Sequence, residues 1–230
     1  MWWAALLAAG AGYLLGSIPV GLIVGRVTRG VDVRDYGSGV TGATNVIRTS
    51  GWKAGVVVIV GDIAKGIIPV YLGLGLANVA GVEPYDNRAW VAAAGAFAAV
   101  CGHIWPVFAN FRGGRAVATG FGAALAMNPI AAAAMIPVAA VVVGVTRIMS
   151  LMSITMAPAL ACLYIILAAL GISPPAYAAY AVAASTLIVW KHRPNIERLI
   201  AGTEPKIGRG GEKRAPEGGA ATEEGAPSPS

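Results

Sequence analysis

Residues 33–48 read Val33-Arg34-Asp35-Tyr36-Gly37-Ser38-Gly39-Val40-Thr41-Gly42-Ala43-Thr44-Asn45-Val46-Ile47-Arg48. Glycines let a backbone approach a ligand closely and turn successive N–H groups into one concavity. Ser38, Thr41 and Thr44 add short hydroxyl donors, Asn45 adds an amide, and the Arg34 and Arg48 forks match phosphate geometry. This is the chemistry of an anion-binding loop. An ordinary surface connector has a similar composition.

Three more polar clusters carry comparable residues: Arg112-Gly113-Gly114-Arg115, Arg147 with Ser150 and Ser153, and Lys191-His192-Arg193-Pro194-Asn195. Arginine after a Gly-Gly pair, just before an apolar helical run, suits phosphate held by helix N-terminal amides and a bidentate side chain. Such basic clusters also anchor membrane proteins to anionic lipid heads, the reading favoured for Arg112. Asp62 and Lys65 sit three apart inside an apolar run, on one helix face, as a self-neutralising pair or as site groups. His103 reads as a structural hydrogen-bonding residue, and His192 is ambiguous on its own. Ser150 and Ser153 have a plain alternative as back-bonding helix hydroxyls. No Ser/His/Asp spacing, metal-ligand cluster or Walker pattern is present, so neither metal nor cofactor is expected. Cys101 and Cys162 lie in apolar runs as small hydrophobes.

The elements that must hold these groups are membrane helices. Of the 230 residues, 57% are hydrophobic and only 12% charged, and the mean hydropathy is +0.68. Soluble domains carry about a quarter charged residues, so the sequence predicts an all-α polytopic membrane protein. The first apolar run, 1–25, lacks a basic start and reads as a retained span, with Ser17 and Pro19 interrupting it. Further spans are predicted over about 54–78, 89–108, 116–127, 130–146, 151–170 and 176–190. Asn128-Pro129 splits the fourth from the fifth. No internal repeat is visible.

If the connectors alternate sides, every Lys and Arg of the seventeen except Lys65 and Arg88 falls on one face. The positive-inside rule makes that face cytoplasmic, with the N-terminus outside and the C-terminus inside, which fits about seven spans. The four polar clusters then share the cytoplasmic face. The net charge of +6 is accounted for by that face, and nucleic acid is not an expected partner. The division is a membrane domain, 1–207, and a polar tail, 208–230, whose composition buries no core and predicts disorder.

The motifs also resemble a known family. Leu15-Gly16-Ser17-Ile18-Pro19, Gly37-Ser38-Gly39 with Gly42-Ala43-Thr44-Asn45 and Arg48, and Asp62-Ile63-Ala64-Lys65-Gly66 together resemble the first signature of the bacterial acyl-phosphate:glycerol-3-phosphate acyltransferases, the PlsY family. Gly102-His103-Ile104-Trp105-Pro106-Val107-Phe108 followed by Arg112 to Thr119 is similar to the second. His192 to Leu199 with Gly202-Thr203-Glu204 is similar to the third. The match runs in order over about residues 13–206.

The resemblance implies a seven-helix enzyme of the bacterial inner membrane, working at the cytoplasmic face on acyl phosphate and sn-glycerol 3-phosphate. It would transfer the acyl group to the 1-hydroxyl, giving lysophosphatidic acid and phosphate for phospholipid synthesis. It implies no acyl-CoA, no metal and no dedicated protein base, the substrate's own phosphate assisting removal of the hydroxyl proton. Membrane lipids and an enzyme that supplies acyl phosphate are the implied partners. By motif, Ser38 and the neighbouring amides of Gly37 and Gly39 hold phosphate, with Thr44 and Asn45 beside them, and Arg48 pairs with one. Arg115 takes the place of a basic residue on substrate phosphate, with Gly113 and Gly114 before it as substrate-binding residues. Ser150 lines the pocket, and His192 and Asn195 orient glycerol 3-phosphate. Two departures stand out: Val40 replaces the family's usual asparagine, and Arg112, Arg115 and Ala116 replace two lysines and a glycine. A transporter of a phosphorylated metabolite and a catalytically weakened lipid-binding relative are the rival readings.

Overall fold

The computed structural model describes residues 2–214, and all regular structure among them is helical apart from one isolated bridge between Tyr36 and Lys213. The elements are α1 (Trp2–Gly16), α2 (Val20–Arg29), α3 (Ala43–Ser50), α4 (Trp52–Val79), α5 (Tyr85–Ile104), α6 (Val117–Met127), α7 (Pro129–Ala133), α8 (Met135–Thr146), α9 (Met149–Ala169), α10 (Pro175–Lys191) and α11 (Arg193–Ile200). Five stretches are long and apolar enough to cross a membrane: Trp2–Arg29, Trp52–Val79, Tyr85–Ala109, Pro129–Thr146 and Met149–Ala169. Helix α10 has 17 residues. Helix α6 has 11 residues and, at about 1.5 Å per residue, rises roughly half the hydrocarbon thickness.

The predicted segments are recognisable, and their interruptions have local causes. Ser17 and Pro19 separate α1 from α2. At Asn128-Pro129 the chain leaves the helix; the Asn128 side chain then accepts from the Ala131 amide and starts α7 with proline in its first turn. Leu6, Val60, Tyr71 and Val145 are all more than half exposed. Such a girdle of large apolar side chains is stable against lipid, not water.

Inside the bundle, helices meet backbone to backbone through small residues, as membrane packing without a solvent-driven hydrophobic term favours. A side chain at Gly12 would strike the Gly95 carbonyl, and one at Gly16 would strike that of Ala99, so α1 lies directly on α5. Likewise Gly66 of α4 lies on the Thr119 carbonyl, and Gly122 of α6 on that of Ile63. The α4–α6 contact seats the start of the short helix α6 beside Asp62. On the other side of α6, Tyr164 donates to the Ala124 carbonyl at 2.7 Å and Tyr180 to that of Gly120 at 3.1 Å, tying in α9 and α10.

The segment predicted as the start of a free tail behaves otherwise over its described part. Residues 208–214 run back along the 33–39 loop: the Gly37 amide donates to Glu212 O at 3.0 Å and the Arg214 amide to Asp35 O at 2.8 Å. The remainder of the predicted tail, 215–230, lies outside the described residues.

Candidate functional site

The four polar clusters meet around one cavity of about 730 Å³. Ser38, Thr44 and Arg48 line it from the first loop and α3, Arg115 from the start of α6, Ser150 and Ser153 from α9, and His192 and Asn195 from the α10–α11 junction. Asp62 and His103 reach it from α4 and α5. One wall is apolar, made by Phe121, Ile136, Met152 and Met156.

The first loop is shaped from within. Asn45 is 1% exposed; its side-chain oxygen accepts from the Ser38 amide at 3.0 Å, and its NH2 group faces the carbonyls of Val33, Val40 and Tyr36 at 2.7–3.1 Å. Gly37 turns there with φ +52°, where a Cβ would also strike the Asn45 oxygen. Arg34 forks onto Asp32 and donates to the Ala109 carbonyl at 3.0 Å, pinning this loop to the turn that carries Arg115. The hydrogen bonds from Arg34 overcome the burial of Asp32 and hold its carboxyl below the ordinary range.

This arrangement departs from the amide cradle expected of the loop. The Gly37, Ser38 and Gly39 amides are engaged by Glu212 O, the Asn45 oxygen and Tyr36 O respectively, and Gly39 is not part of the cavity wall. Asn45 clamps the loop, with its NH2 group taken up by carbonyls. Gly113 and Gly114 are not on the wall either; they pack against the His103 carbonyl and ring, where side chains would not fit. Their effect is to bring Arg115 close over α5.

The free amides come from elsewhere. Helix α3 begins at Ala43 with no side-chain cap, and the Gly42, Ala43 and Thr44 region lines the cavity. Helix α6 also lacks a side-chain cap, and Ala116, Val117 and Ala118 line the same cavity. The first amides of a helix have no carbonyl to bond, so both starts present donors and the positive end of a helix dipole. Ala116 holds φ +60° at the head of α6. That left-handed geometry costs a side-chain-bearing residue roughly 1 kcal/mol and suits glycine better than alanine.

Arg115 makes no hydrogen bond or ion pair with a described residue. Burial lowers its pKa to about 10; the Glu204 carboxylate opposes that shift, while Arg198 and Arg48 add to it. Arg48 donates to the Pro205 carbonyl at 3.3 Å, and burial likewise pulls it below the ordinary arginine value. At neutral pH Arg115 is still a cation, and so is Arg48. His192 is 2% exposed and its Nδ1 lies 2.7 Å from the Ile188 carbonyl. A carbonyl only accepts, so Nδ1 carries the proton. Burial pushes the His192 pKa down to about 4 against that hydrogen bond, leaving a neutral ring with Nε2 as an acceptor.

The sequence reading gave Glu204 no role, yet it organises one side of the cavity. Its Oε1 accepts from Ser150 at 2.7 Å and Asn195 at 2.6 Å, and its Oε2 from Arg198 at 2.7 Å. Burial works to raise this carboxyl's pKa, and those three donors outweigh it and hold it low. Ser150 and the Asn195 NH2 group are therefore held by Glu204, while the Asn195 oxygen is buried with no partner among the described residues. The available signal was a carboxylate, with Glu197 and Glu212, in a predominantly cationic segment. Deeper in, Lys65 Nζ lies 3.0 Å from Asp62 Oδ1 and donates to the Ile18 carbonyl, so the predicted pair forms. His103 Nδ1 stands 3.2 Å from Thr119 Oγ1 and 3.6 Å from Asp62.

Two uncapped helix starts and two arginines on a cavity with one greasy wall make a receptor for an anion bearing an apolar chain. Comparison with known proteins points the same way. A family model described as glycerol-3-phosphate acyltransferase matches residues 6–202. A glycerol-3-phosphate acyltransferase of Parasynechococcus marenigrum (strain WH8102) is 42% identical over 205 residues, 89% of this chain and 91% of that protein. One from Gloeobacter violaceus is 42% identical over 208 residues, covering 90% and 97%. The crystal structure of PlsY (YgiH), an integral membrane glycerol 3-phosphate acyltransferase, in its glycerol 3-phosphate form superposes with a TM-score of 0.77 at 37% identity, covering 89% of this chain and 96% of that one. Its lysophosphatidic acid form gives 0.74 at 36% identity, covering 88% and 94%.

Proposed function

We infer that this chain, which belongs to the glycerol-3-phosphate acyltransferase family, transfers a fatty acyl group from acyl phosphate to the 1-hydroxyl of sn-glycerol 3-phosphate. The observation that carries this reading is the meeting of Arg48, Arg115 and the starts of α3 and α6 on one cavity. Both substrates bear phosphate, and charge-assisted donors recognise it.

In the reaction the glycerol 1-oxygen bonds to the acyl carbon, and the bond from that carbon to the phosphate oxygen breaks. The hydroxyl proton ends on the departing phosphate, so hydrogen phosphate and the acyl ester leave. Phosphate is a good leaving group, so holding the partners in place and stabilising developing charge supply most of the catalysis. Arg115 and Arg48, with the first amides of α3 and α6 and the Ser38 hydroxyl, bind the phosphates. His192 Nε2 accepts from the glycerol hydroxyl and orients it; with a pKa near 4 the ring is a poor base, so it positions and does not abstract. The Asn195 oxygen is a second acceptor for a hydroxyl, and Glu204 holds both Asn195 and Ser150 in register. The acyl chain lies along Phe121, Met152 and Met156 toward the lipid-facing helix α8.

The site lies at the cytoplasmic face of the bacterial inner membrane, where the basic connectors gather, with about seven spans, the N-terminus outside and the C-terminus inside. An enzyme that forms acyl phosphate is the natural upstream partner. The test is turnover of the purified full-length protein in lipid with acyl phosphate and glycerol 3-phosphate. Lysophosphatidic acid and phosphate are expected in equal amounts, with Ser38→Ala and Arg48→Ala folded but strongly impaired. Acyl-CoA as the only accepted donor overturns the donor assignment, and no product from folded protein overturns the enzyme reading.

A further inference from the structure

The chain does not stop at the edge of the region it shares with its family. After residue 202, where the family model ends, it runs along the cavity wall as Pro205-Lys206-Ile207-Gly208-Arg209-Gly210-Gly211-Glu212-Lys213-Arg214. One end is fixed to the α8–α9 junction, where the Ile207 amide donates to Arg147 O at 2.8 Å. The other is fixed to the first loop, through Gly37 N to Glu212 O and Arg214 N to Asp35 O. Between them Arg48 donates to Pro205 O, and Gly211 packs on the Arg48 backbone, where a Cβ would approach its carbonyl to 2.8 Å. The segment is thus a strap bound at both ends, and Pro205, Gly210, Glu212, Lys213 and Arg214 all belong to the cavity wall. It carries four cations against one carboxylate. The Arg214 guanidinium lies against Gly39, beside the Ser38 that lines the cavity.

We propose that Lys213 and Arg214 are phosphate-binding residues of this site, supplied by a strap outside the family-matched region that lines the cavity. The ligand class is a phosphate monoester or acyl phosphate anion, and the proposal rests on the acyltransferase reading above. Two physical arguments support it. First, Lys213 and Arg214 place exposed cations on the wall of a cavity whose inner cations, Arg115 and Arg48, are already partly buried. An anion entering from water then meets opposite charge at these exposed residues before it is desolvated. Second, the strap's backbone bonds fix these two residues to the loop that carries Ser38, so the cost of ordering them is met on folding and not on binding.

The experiment uses the full-length protein with K213Q/R214Q and R214K. These substitutions alter exposed side chains and leave the backbone bonds of the strap in place. KM is measured separately for acyl phosphate and for glycerol 3-phosphate, together with the inhibition constant of inorganic phosphate. In K213Q/R214Q the phosphate inhibition constant and at least one of the two KM values rise on the order of tenfold, while kcat stays within about twofold. R214K keeps the charge but loses the guanidinium fork, so it raises the same constants by less than K213Q/R214Q does, and the substrate whose KM moves identifies which phosphate the strap meets. Unchanged KM and inhibition constants in an active protein overturn the proposal, and so does a fall in kcat alone. If the wild-type protein makes no product, the acyltransferase reading fails separately. Calorimetric titration with inorganic phosphate then decides the strap: tenfold weaker binding by K213Q/R214Q supports it, and equal binding overturns it.

Discussion

Replacing Glu204 by glutamine tests how the cavity divides its charges. The carboxylate takes three hydrogen bonds, from Ser150 at 2.7 Å, Asn195 at 2.6 Å and Arg198 at 2.7 Å, and its side chain is only 6% exposed. Glutamine keeps the shape but has one accepting oxygen. If that oxygen stays with Ser150 and Asn195, an NH2 group faces the Arg198 guanidinium and that bond is lost. A charge-assisted bond contributes roughly 1.5–3 kcal/mol and a neutral one about half as much; one bond is lost and two are weakened, so the change costs on the order of 3–6 kcal/mol. Part of it is read as a lower melting temperature. Part is read in turnover, because Asn195 and Ser150 lose their fixed partner: kcat falls on the order of ten- to a hundredfold. Phosphate binding moves the other way. Glu204 is the carboxylate that offsets burial at both Arg48 and Arg115, so its removal leaves the cavity more positive and inorganic phosphate inhibits at lower concentration. The assay is steady-state turnover of Glu204→Gln with a phosphate titration. An unchanged kcat, or weaker phosphate inhibition, refutes the reasoning.

Arg115→Met removes a largely buried cation that has no partner among the described residues, so folding stability holds or rises while kcat/KM falls on the order of a thousandfold, measured by turnover and thermal unfolding. His192→Gln reports on acid sensitivity. The folded pKa of about 4 lies below the unfolded 6.5, so the unfolded chain binds the proton first; stability is full above pH 6.5 and is lost as pH falls toward 4. The linkage is about 2 kcal/mol at pH 5, and unfolding temperatures of the variant at pH 7 and pH 5 differ less than those of wild type. Asn45→Ala removes the clamp of the first loop at about 1 kcal/mol for each of several bonds. Faster proteolysis within residues 33–42 and loss of turnover are expected.

What the sequence revealed followed from how local each signal was. Apolar run lengths, the Asn128-Pro129 break and the crowding of cations between runs are local features, and the helices and the convergence of Arg48, Arg115, Ser150 and His192 followed from them. The ordered motifs added the chemistry. Which atoms are free is not local. The Gly37 amide is taken by Glu212, about 175 residues away in sequence, and the Asn45 side chain is occupied by its own loop. A glycine-rich loop therefore read as an amide cradle, although the open amides belong to the starts of α3 and α6. Gly113 and Gly114 read as ligand-facing for the same reason: only the three-dimensional structure shows His103 packed against them. Glu204 was visible as a residue, but its part depends on Ser150 of α9 meeting Asn195 and Arg198 of α11. The strap escaped because 205–214 has the composition of a linker, and its order comes from edges offered by Arg147, Asp35 and Gly37.

The claim at the centre is that Arg115 and Arg48, with the α3 and α6 helix starts, hold substrate phosphate while His192 orients the hydroxyl. An experimental structure of the protein with glycerol 3-phosphate tests it most directly. A phosphate is expected within hydrogen-bonding distance of Arg115 or Arg48 and of a first amide of α3 or α6, with the glycerol 1-hydroxyl at His192 Nε2. Glycerol 3-phosphate bound elsewhere, or its phosphate held by the 37–39 amides with Arg115 and Arg48 empty, contradicts it.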